Sequence, residues 1–327
     1  MTSMSKPQAA AQAESYYTKE NYYMKNSELG FYHGDSEALK QFGIEENELV
    51  TQETYNALLN GFNPKTGDAL ANNAGDENRR AGIDVTQSAN KSLSVLVEGF
   101  KAHGLDEKAQ ELLDAHEKAN QAAMNKVKEY ALSRIYDEEG NRIKVNVDMA
   151  YASFQHDLSR LLDPQIHTHN FIFNLVTYTD PKTGETKVLS LSNEEIYRQK
   201  MLIGQLYRSE LAANLSDLGY TINVTNAKEG FFEIEGVSEN QIKAFSQMSE
   251  MLEKAYGAQL EDLKKLYPNA PTERLKEYIK MAERRAKQKV DRDEVLEFNK
   301  NRMIDLGMDQ SFFSNFAPDK SKTPLTE

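Results

Sequence analysis

The spacing of apolar and polar residues changes period several times along this chain, and the changes outline its elements. Short helical pieces follow a tyrosine-rich N-terminal segment, and Gly82 to Thr86 reads as a strand leading into a helix from about Asn90 to Ala102. A long amphipathic helix is predicted over about Asp106 to Arg134. Leu112, Leu113, Ala119, Ala123, Val127 and Tyr130 fall on one stripe, and Asp137 to Asn141 forms the turn that ends it. The period then drops to two. Val145 to Phe154 and the run from His167 to Leu175 read as strands, and Asp163-Pro164 is a turn signal that lets them lie side by side. Asp180-Pro181-Lys182-Thr183-Gly184 turns a hairpin into Lys187 to Leu191, and Ser192 with Glu195 reads as a capping box for a helix running to about Leu218. A further hairpin joins Tyr220 to Val224 with Phe231 to Ile234. From Ser238 onward nearly everything reads helical, broken at Tyr267 to Pro271. The expectation is an α+β protein without repeats: an antiparallel sheet covered by helices over 1–237, and a mostly helical extension over 238–327.

Chemistry concentrates on the paired strands. Three of the six histidines fall between His156 and His169. His167 and His169 are two apart, so on a strand both imidazoles point to one face, which Phe171, Phe173 and Leu175 continue as an apolar row. His156 closes the approaching strand, so three neutral imidazoles can converge on one point. Such a set suits zinc, copper, nickel or iron and leaves positions open for water or substrate. A histidine in a strand is more often a packed or surface residue, but three at this spacing seldom serve packing alone. His33, His103 and His116 lack such company and read as structural or solvated.

Composition narrows the class. The chain has 327 residues, 39% hydrophobic and 28% charged, enough for a substantial core. It contains no cysteine, so any metal site must use nitrogen and oxygen, and disulfides are excluded. No apolar run is long enough to span a bilayer, and the N-terminus lacks the apolar stretch of a signal peptide. A soluble, cytoplasmic protein without membrane insertion is expected. The net charge of -12 argues against coating duplex DNA through an overall positive field. Charge is uneven, however: Lys264 to Lys289 holds nine Lys or Arg against three Glu, while Asp35 to Glu53 is acidic. That basic stretch reads equally as a local nucleic-acid surface or as a solvated helix face.

Ser15-Tyr16-Tyr17-Thr18-Lys19-Glu20-Asn21-Tyr22-Tyr23 places four of sixteen tyrosines in two doublets. A phenol beside a cation-polarised electrophile can act as a nucleophile, although paired aromatics also pack as an ordinary helix or strand face. Taken with the histidine run and with Gly82-Ile83-Asp84-Val85-Thr86-Gln87-Ser88-Ala89-Asn90-Lys91, these tyrosines make the chain resemble the HUH single-strand DNA endonucleases. Within them it resembles conjugative relaxases of the MobF class, the TrwC/TraI type, over about residues 10 to 250.

The resemblance implies an HUH relaxase palm with helical C-terminal fingers. It implies site-specific nicking and joining of DNA at a plasmid transfer origin through a 5'-phosphotyrosine. Tyr16 matches the nucleophile, Tyr17 its neighbour in the doublet, and Tyr22 and Tyr23 the doublet from which some relaxases draw a second nucleophile. His156, His167 and His169 match ligands of a divalent metal ion, magnesium or manganese in the cell, with zinc or nickel able to occupy the site. Asp84 matches a residue that orients a ligand histidine or accepts the tyrosine proton, the reading favoured over its alternative as an N-terminal residue of a helix capped by Ser88 or Asn90. Lys91 and Arg160 match basic DNA-contacting positions. Implied partners are single-stranded DNA with an adjacent hairpin, accessory relaxosome proteins and a coupling protein, in a bacterial cytoplasm from which the protein can travel with the DNA. Gln87, Asn90 and the sequence Ala244-Phe245-Ser246-Gln247 depart from the usual pattern and put finer DNA contacts in doubt. No phosphate-binding Gly-x-x-x-x-Gly-Lys-Ser/Thr loop occurs, so the relaxase domain alone is expected rather than a relaxase-helicase. The competing classes are a metal-dependent phosphoesterase using water and a non-catalytic single-stranded DNA-binding module.

Overall fold

The computed structural model describes residues 1–10, 13, 29–283 and 291–316. In chain order its elements begin with strands β1 (Thr2–Met4), β2 (Gln8–Ala9) and β3 (Gly30–Gly34), helices α1 (Ser36–Phe42) and α2 (Gln52–Leu59), strand β4 (Arg80–Ser88), and helices α3 (Lys91–Ala102) and α4 (Asp106–Glu129). Strands β5 (Leu132–Tyr136), β6 (Arg142–Asn146), β7 (Asp148–Leu158), β8 (Pro164–Thr179) and β9 (Thr186–Leu189) follow. Then come α5 (Glu194–Arg198), α6 (Lys200–Asp217), the hairpin β10 (Ile222–Asn226) and β11 (Phe231–Ile234), and helices α7 (Glu239–Ala244), α8 (Gln247–Leu266), α9 (Thr272–Ala282), α10 (Arg292–Asp305) and α11 (Gln310–Asn315).

Among the described residues seven strands make one sheet in the order β1-β4-β8-β7-β3, with β2 also on β4 and β9 on β8, and each of these pairings is antiparallel. The sheet buries both faces because β8 is apolar on both. Phe171, Phe173 and Leu175 pack with Phe42, Tyr55, Leu58 and Leu59 of α1 and α2, whereas Ile166, Ile172 and Val176 pack against α3, α4 and α6. The second core continues into the C-terminal helices through Phe245, Met303, Met308 and Phe313. Among the described residues no helix is long and apolar enough to cross a membrane.

Several expected boundaries move. The long helix stops at Glu129 rather than near Arg134, because Leu132 to Tyr136 pairs across the Asp137 to Asn141 turn with β6. The Ser192–Glu195 capping box does not form. Asn193 is the N-cap without a side-chain bond, the Ser192 N–H donates to Leu132 O at 2.7 Å, and the expected single helix breaks at Gln199 into α5 and α6. Strands β1, β2 and β3 were not foreseen; each is short and acquires its ladder from a long neighbour, β4 or β7.

Close approach in the middle of the sheet depends on Gly82. A Cβ there would lie 2.1 Å from the Ile172 carbonyl oxygen and 2.7 Å from the Phe171 ring. Backbone cannot rotate away as a side-chain tip can. Gly82→Ala is therefore expected to destabilise the fold by about 1–3 kcal/mol or more, read from denaturant midpoints; an unchanged midpoint would show that β4 and β8 separate freely.

Candidate active site

The hairpin of β7 and β8 places the three histidines by register alone. His156 is the direct cross-strand partner of His167, and Phe154 that of His169, so the three imidazoles rise from one face at the end of the aromatic row. Their ring centres are 5.2, 5.2 and 5.1 Å apart, a nearly equilateral triangle. His156 and His169 are buried and His167 is half-buried. Tyr55 closes the apolar end, edge-on to Phe154 and Phe171.

β4 supplies the support. Thr86 lies opposite His169 and Asp84 opposite Phe171, on the histidine face. Asp84 is thus a strand residue, not the start of a helix. Its Oδ2 lies 2.6 Å from His169 Nδ1, and the Thr86 hydroxyl is 3.2 Å from both the same carboxylate oxygen and the same ring nitrogen. His167 Nδ1 is 2.8 Å from the carbonyl oxygen of Gln165. When Nδ1 carries the proton and donates to these oxygens, Nε2 is the nitrogen that keeps its lone pair on both rings. The other carboxylate oxygen of Asp84 is buried with no hydrogen-bond partner among the described residues. Thr86 and the Gln165 carbonyl escaped the sequence reading. Thr86 carries a usable signal, since it lies two residues from Asp84 and so shares its face.

The donor set has the chemistry of a nitrogen-ligated cation site. Three imidazoles held tetrahedrally at about 2.1 Å from one ion have ring centres about 5 Å apart, which the observed triangle matches. Among the described residues no group of three or more histidine, cysteine or carboxylate side chains already stands as a finished coordination set. Strand register fixes the ring positions, whereas the aim of each ring nitrogen changes with rotation of its ring.

The remaining expected residues are placed unevenly. Tyr16, Tyr17, Tyr22 and Tyr23 lie outside the described residues. Arg160 sits in the β7–β8 turn, four residues past His156. Lys91 lies at the start of α3, where its ammonium donates to Pro164 O at 2.8 Å, and burial lowers its pKa to about 8. Gln87 is fully buried and accepts from the Thr2 hydroxyl, while the Asn90 amide donates to Ser92 and to Phe232 O, so both departures from the family pattern serve the fold. In the expected basic stretch, Lys276 and Lys280 pair with Glu273 and Glu277 as on an ordinary solvated helix face. A cluster of arginines occurs elsewhere: Arg80, Arg134 and Arg142 line a cavity of about 590 Å³ with Asn78, Asn174 and Ser190. Asn174 is five residues beyond His169 on β8, about 16 Å at the strand rise of about 3.3 Å per residue.

On the opposite face the supporting groups are neutral. His116 is fully buried, 2.7 Å from the Tyr207 hydroxyl and 2.8 Å from the hydroxyl of Thr168, which lies between two triad histidines in sequence. His33 pairs with Glu46 and His103 with Gln310, so all three non-triad histidines are structural. Burial lowers the His116 pKa from 6.5 to about 3. As pH falls the unfolded chain takes up this proton first. The stability His116 contributes is therefore complete above pH 6.5 and drains away toward pH 3, by up to about 1.4 kcal/mol per unit. His116→Gln is expected to flatten the acid limb of stability against pH; a limb of unchanged slope would refute the assignment.

Comparison with known proteins accords with the fold. The TrwC relaxase family profile matches residues 10–306. The multifunctional conjugation protein TraI of Escherichia coli is 31% identical over 265 residues, covering 79% of this chain and 14% of TraI. The chain thus spans about a seventh of the length of that relative. Two solved structures superpose over nearly the whole molecule. The conjugative relaxase TrwC in complex with oriT DNA, copper-bound, gives a TM-score of 0.75 at 27% identity, covering 95% of this chain and all of that one. TrwC with a 27-mer DNA comprising the recognition hairpin and the cleavage site gives 0.74 at 25%, with the same coverage. An antiparallel sheet with helices on both faces is the fold this chain shares with these relaxases. This chain belongs to the TrwC relaxase family.

Proposed function

We propose that the protein nicks and rejoins one DNA strand at a plasmid transfer origin by tyrosine transesterification. The observation that carries the proposal is the imidazole triangle of His156, His167 and His169, with His169 held by Asp84. Family membership and the DNA named with the solved relatives support the substrate. A bound divalent cation, magnesium or manganese in the cell and replaceable by zinc or nickel, would neutralise the non-bridging oxygens of the scissile phosphate. Tyr16 is assigned the attack on phosphorus: its phenolic oxygen forms the new P–O bond, the bond to the 3'-oxygen breaks, and that oxygen leaves as a 3'-hydroxyl after taking a proton from solvent. The buried second oxygen of Asp84 is the acceptor assigned to the phenol proton. Tyr17 belongs to the same doublet, and Tyr22 or Tyr23 supplies a second attack that ends transfer.

Phosphate contacts are assigned to Arg160, to Lys91 through its hold on the turn, and to the arginine cavity, where an adjacent DNA hairpin would lie. Binding there should weaken steeply with salt. The division at Val237 is proposed as one of role, sheet palm against helical fingers, because the later helices share the palm's core. Cytoplasmic action with accessory relaxosome proteins and a coupling protein completes the reading.

Asp84→Asn keeps the shape of the side chain and removes its charge. Metal affinity is expected to fall about 10- to 100-fold, measured by titration calorimetry with Mn²⁺; equal affinity would show that His169 needs no carboxylate. The proposal as a whole is tested with single-stranded oligonucleotides covering candidate transfer origins, with Mn²⁺ or EDTA. A metal-dependent adduct mapped to Tyr16 supports it. Cleavage without an adduct, persisting in Tyr16→Phe, would make the protein a hydrolase, and binding without cleavage a non-catalytic module.

A further inference from the structure

We propose that Asp163 is a positioning residue for the triad, through which the docking of α8 and α10 sets the spacing of His156 and His167. The proposal rests on the metal-assisted reading above. His156 and His167 form nearly the last pair of the β7–β8 ladder; beyond them come one register irregularity, the Leu158–Pro164 pair and the Ser159 to Asp163 turn. A hairpin end is where a ladder frays first. Displacement of this end would move two of the three rings.

The turn has internal bonds, with the Leu162 N–H donating to Ser159 O at 3.0 Å and the Ser159 hydroxyl accepting from the Leu161 and Asp163 N–H groups at 3.3 and 3.2 Å, but these do not fix it against the rest of the molecule. It closes with the Ser159 N–H donating to Asp163 O at 2.8 Å, and Leu162 sits at φ 64°, a left-handed conformation that a non-glycine residue keeps only under constraint. Contacts from outside the hairpin add a second constraint and tie the turn to the C-terminal helices. Asp163 is 1% exposed, and its carboxylate accepts the Gln247 backbone N–H at 2.8 Å, the Gln247 side-chain amide at 2.7 Å and the Arg302 guanidinium at 3.2 Å. Gln247 begins α8, so its N–H is one that the helix itself cannot satisfy. Arg302 on α10 is fixed in turn by Ala244 O and by the rings of Phe245 and Phe298. Asn299 on the same helix donates to Leu162 O at 3.2 Å. One buried carboxylate thus receives two C-terminal helices and lies four residues before His167. Only an acceptor on both oxygens serves all these donors; an amide would turn its NH₂ against an N–H or a guanidinium.

Asp163→Asn is compared with the parent in three measurements on folded protein: Mn²⁺ affinity by calorimetry, histidine ring resonances of the metal-free protein, and nicking rates over a range of oligonucleotide concentrations. The expected result is Mn²⁺ binding weakened about tenfold, shifted His156 and His167 resonances, and a lower kcat with KM for DNA unchanged. Gln247→Glu in the Asp163→Asn background gives the new NH₂ an acceptor but leaves it beside Arg302, and should recover the resonances in part. If Asp163→Asn does not fold, Arg302→Gln, which keeps the carboxylate and both Gln247 bonds, is read in the same way with smaller shifts expected. Unmoved resonances and unchanged Mn²⁺ affinity in a folded variant, whatever its melting temperature, overturn the proposal. A parent that binds Mn²⁺ but never nicks would end the relaxase reading while leaving the clamp to be judged on the first two measurements.

Discussion

His169→Ala is expected to abolish metal-dependent nicking, with single-turnover rates falling about a thousandfold, the equivalent of losing several kcal/mol of charge stabilisation at the phosphate. The same change at His156 or His167 removes a nitrogen from the triangle, but at His169 it does two things. It also strips Asp84 of its 2.6 Å partner, leaving a 5%-exposed carboxylate with the Thr86 hydroxyl at 3.2 Å. Breaking a buried pair on one side costs about 3 kcal/mol or more, so His169→Ala should also melt well below His156→Ala. Removing Asp84 as well, in His169→Ala with Asp84→Ala, should recover part of that melting temperature and none of the rate. Two outcomes would sink the account: a metal-dependent rate within tenfold of the parent, or equal melting temperatures for the two single variants.

This separation of effects follows from how the site is built, and the same construction explains what could be read in advance. The triad was legible because it is local. A two-residue repeat puts His167 and His169 on one face, and a single turn returns His156 to them; no distant contact is needed. The α3 and α4 helices were legible for the same reason, their stripes being continuous. The strands β1 and β3 were not. Thr2–Met4 and Gly30–Gly34 carry little alternation and become strands because β4 and β7 offer open edges. The end of α4 was misplaced because residues 132–136 can continue a helix locally, and only pairing with β6 decides otherwise.

Long-range polar contacts were hidden altogether. Glu98 is buried on α3, where nothing in the surrounding apolar pattern explains a carboxylate, yet it takes the Arg292 guanidinium and the Asn299 amide from nearly two hundred residues away. Lys101 and Asp157 pair at 2.7 Å beside it. These charges gather where α3, the β7–β8 turn and α10 meet, so the C-terminal helices engage the palm beside its reactive end rather than at a distance. A chain with net charge -12 can still gather cations locally, as Arg80, Arg134 and Arg142 do around one cavity, where Glu194 pairs with Arg134. Overall charge was a weak guide because electrostatic recognition is set within about 10 Å at 0.1 M salt.

Tyr16→Phe is the change expected to have the largest chemical effect with the smallest physical one. It removes a single oxygen, so Mn²⁺ affinity and melting temperature should match the parent, while the oligonucleotide adduct on residue 16 disappears completely. What remains then distinguishes the roles of the two doublets. If Tyr22 or Tyr23 can reach the same phosphate, a slower adduct appears there, and adding Tyr22→Phe and Tyr23→Phe removes it. If the second doublet acts only after the first, Tyr16→Phe gives no adduct with intact DNA, but a strand supplied as a pre-formed 5'-phosphotyrosine-like ester is taken by Tyr22 or Tyr23, whose phenol forms the new P–O bond as the ester's phenolate leaves. Both results keep phenol attack as the chemistry. Undiminished cleavage in the variant lacking all four tyrosines, Tyr17 included, would move the nucleophile to water, and with it the meaning of the histidine triad.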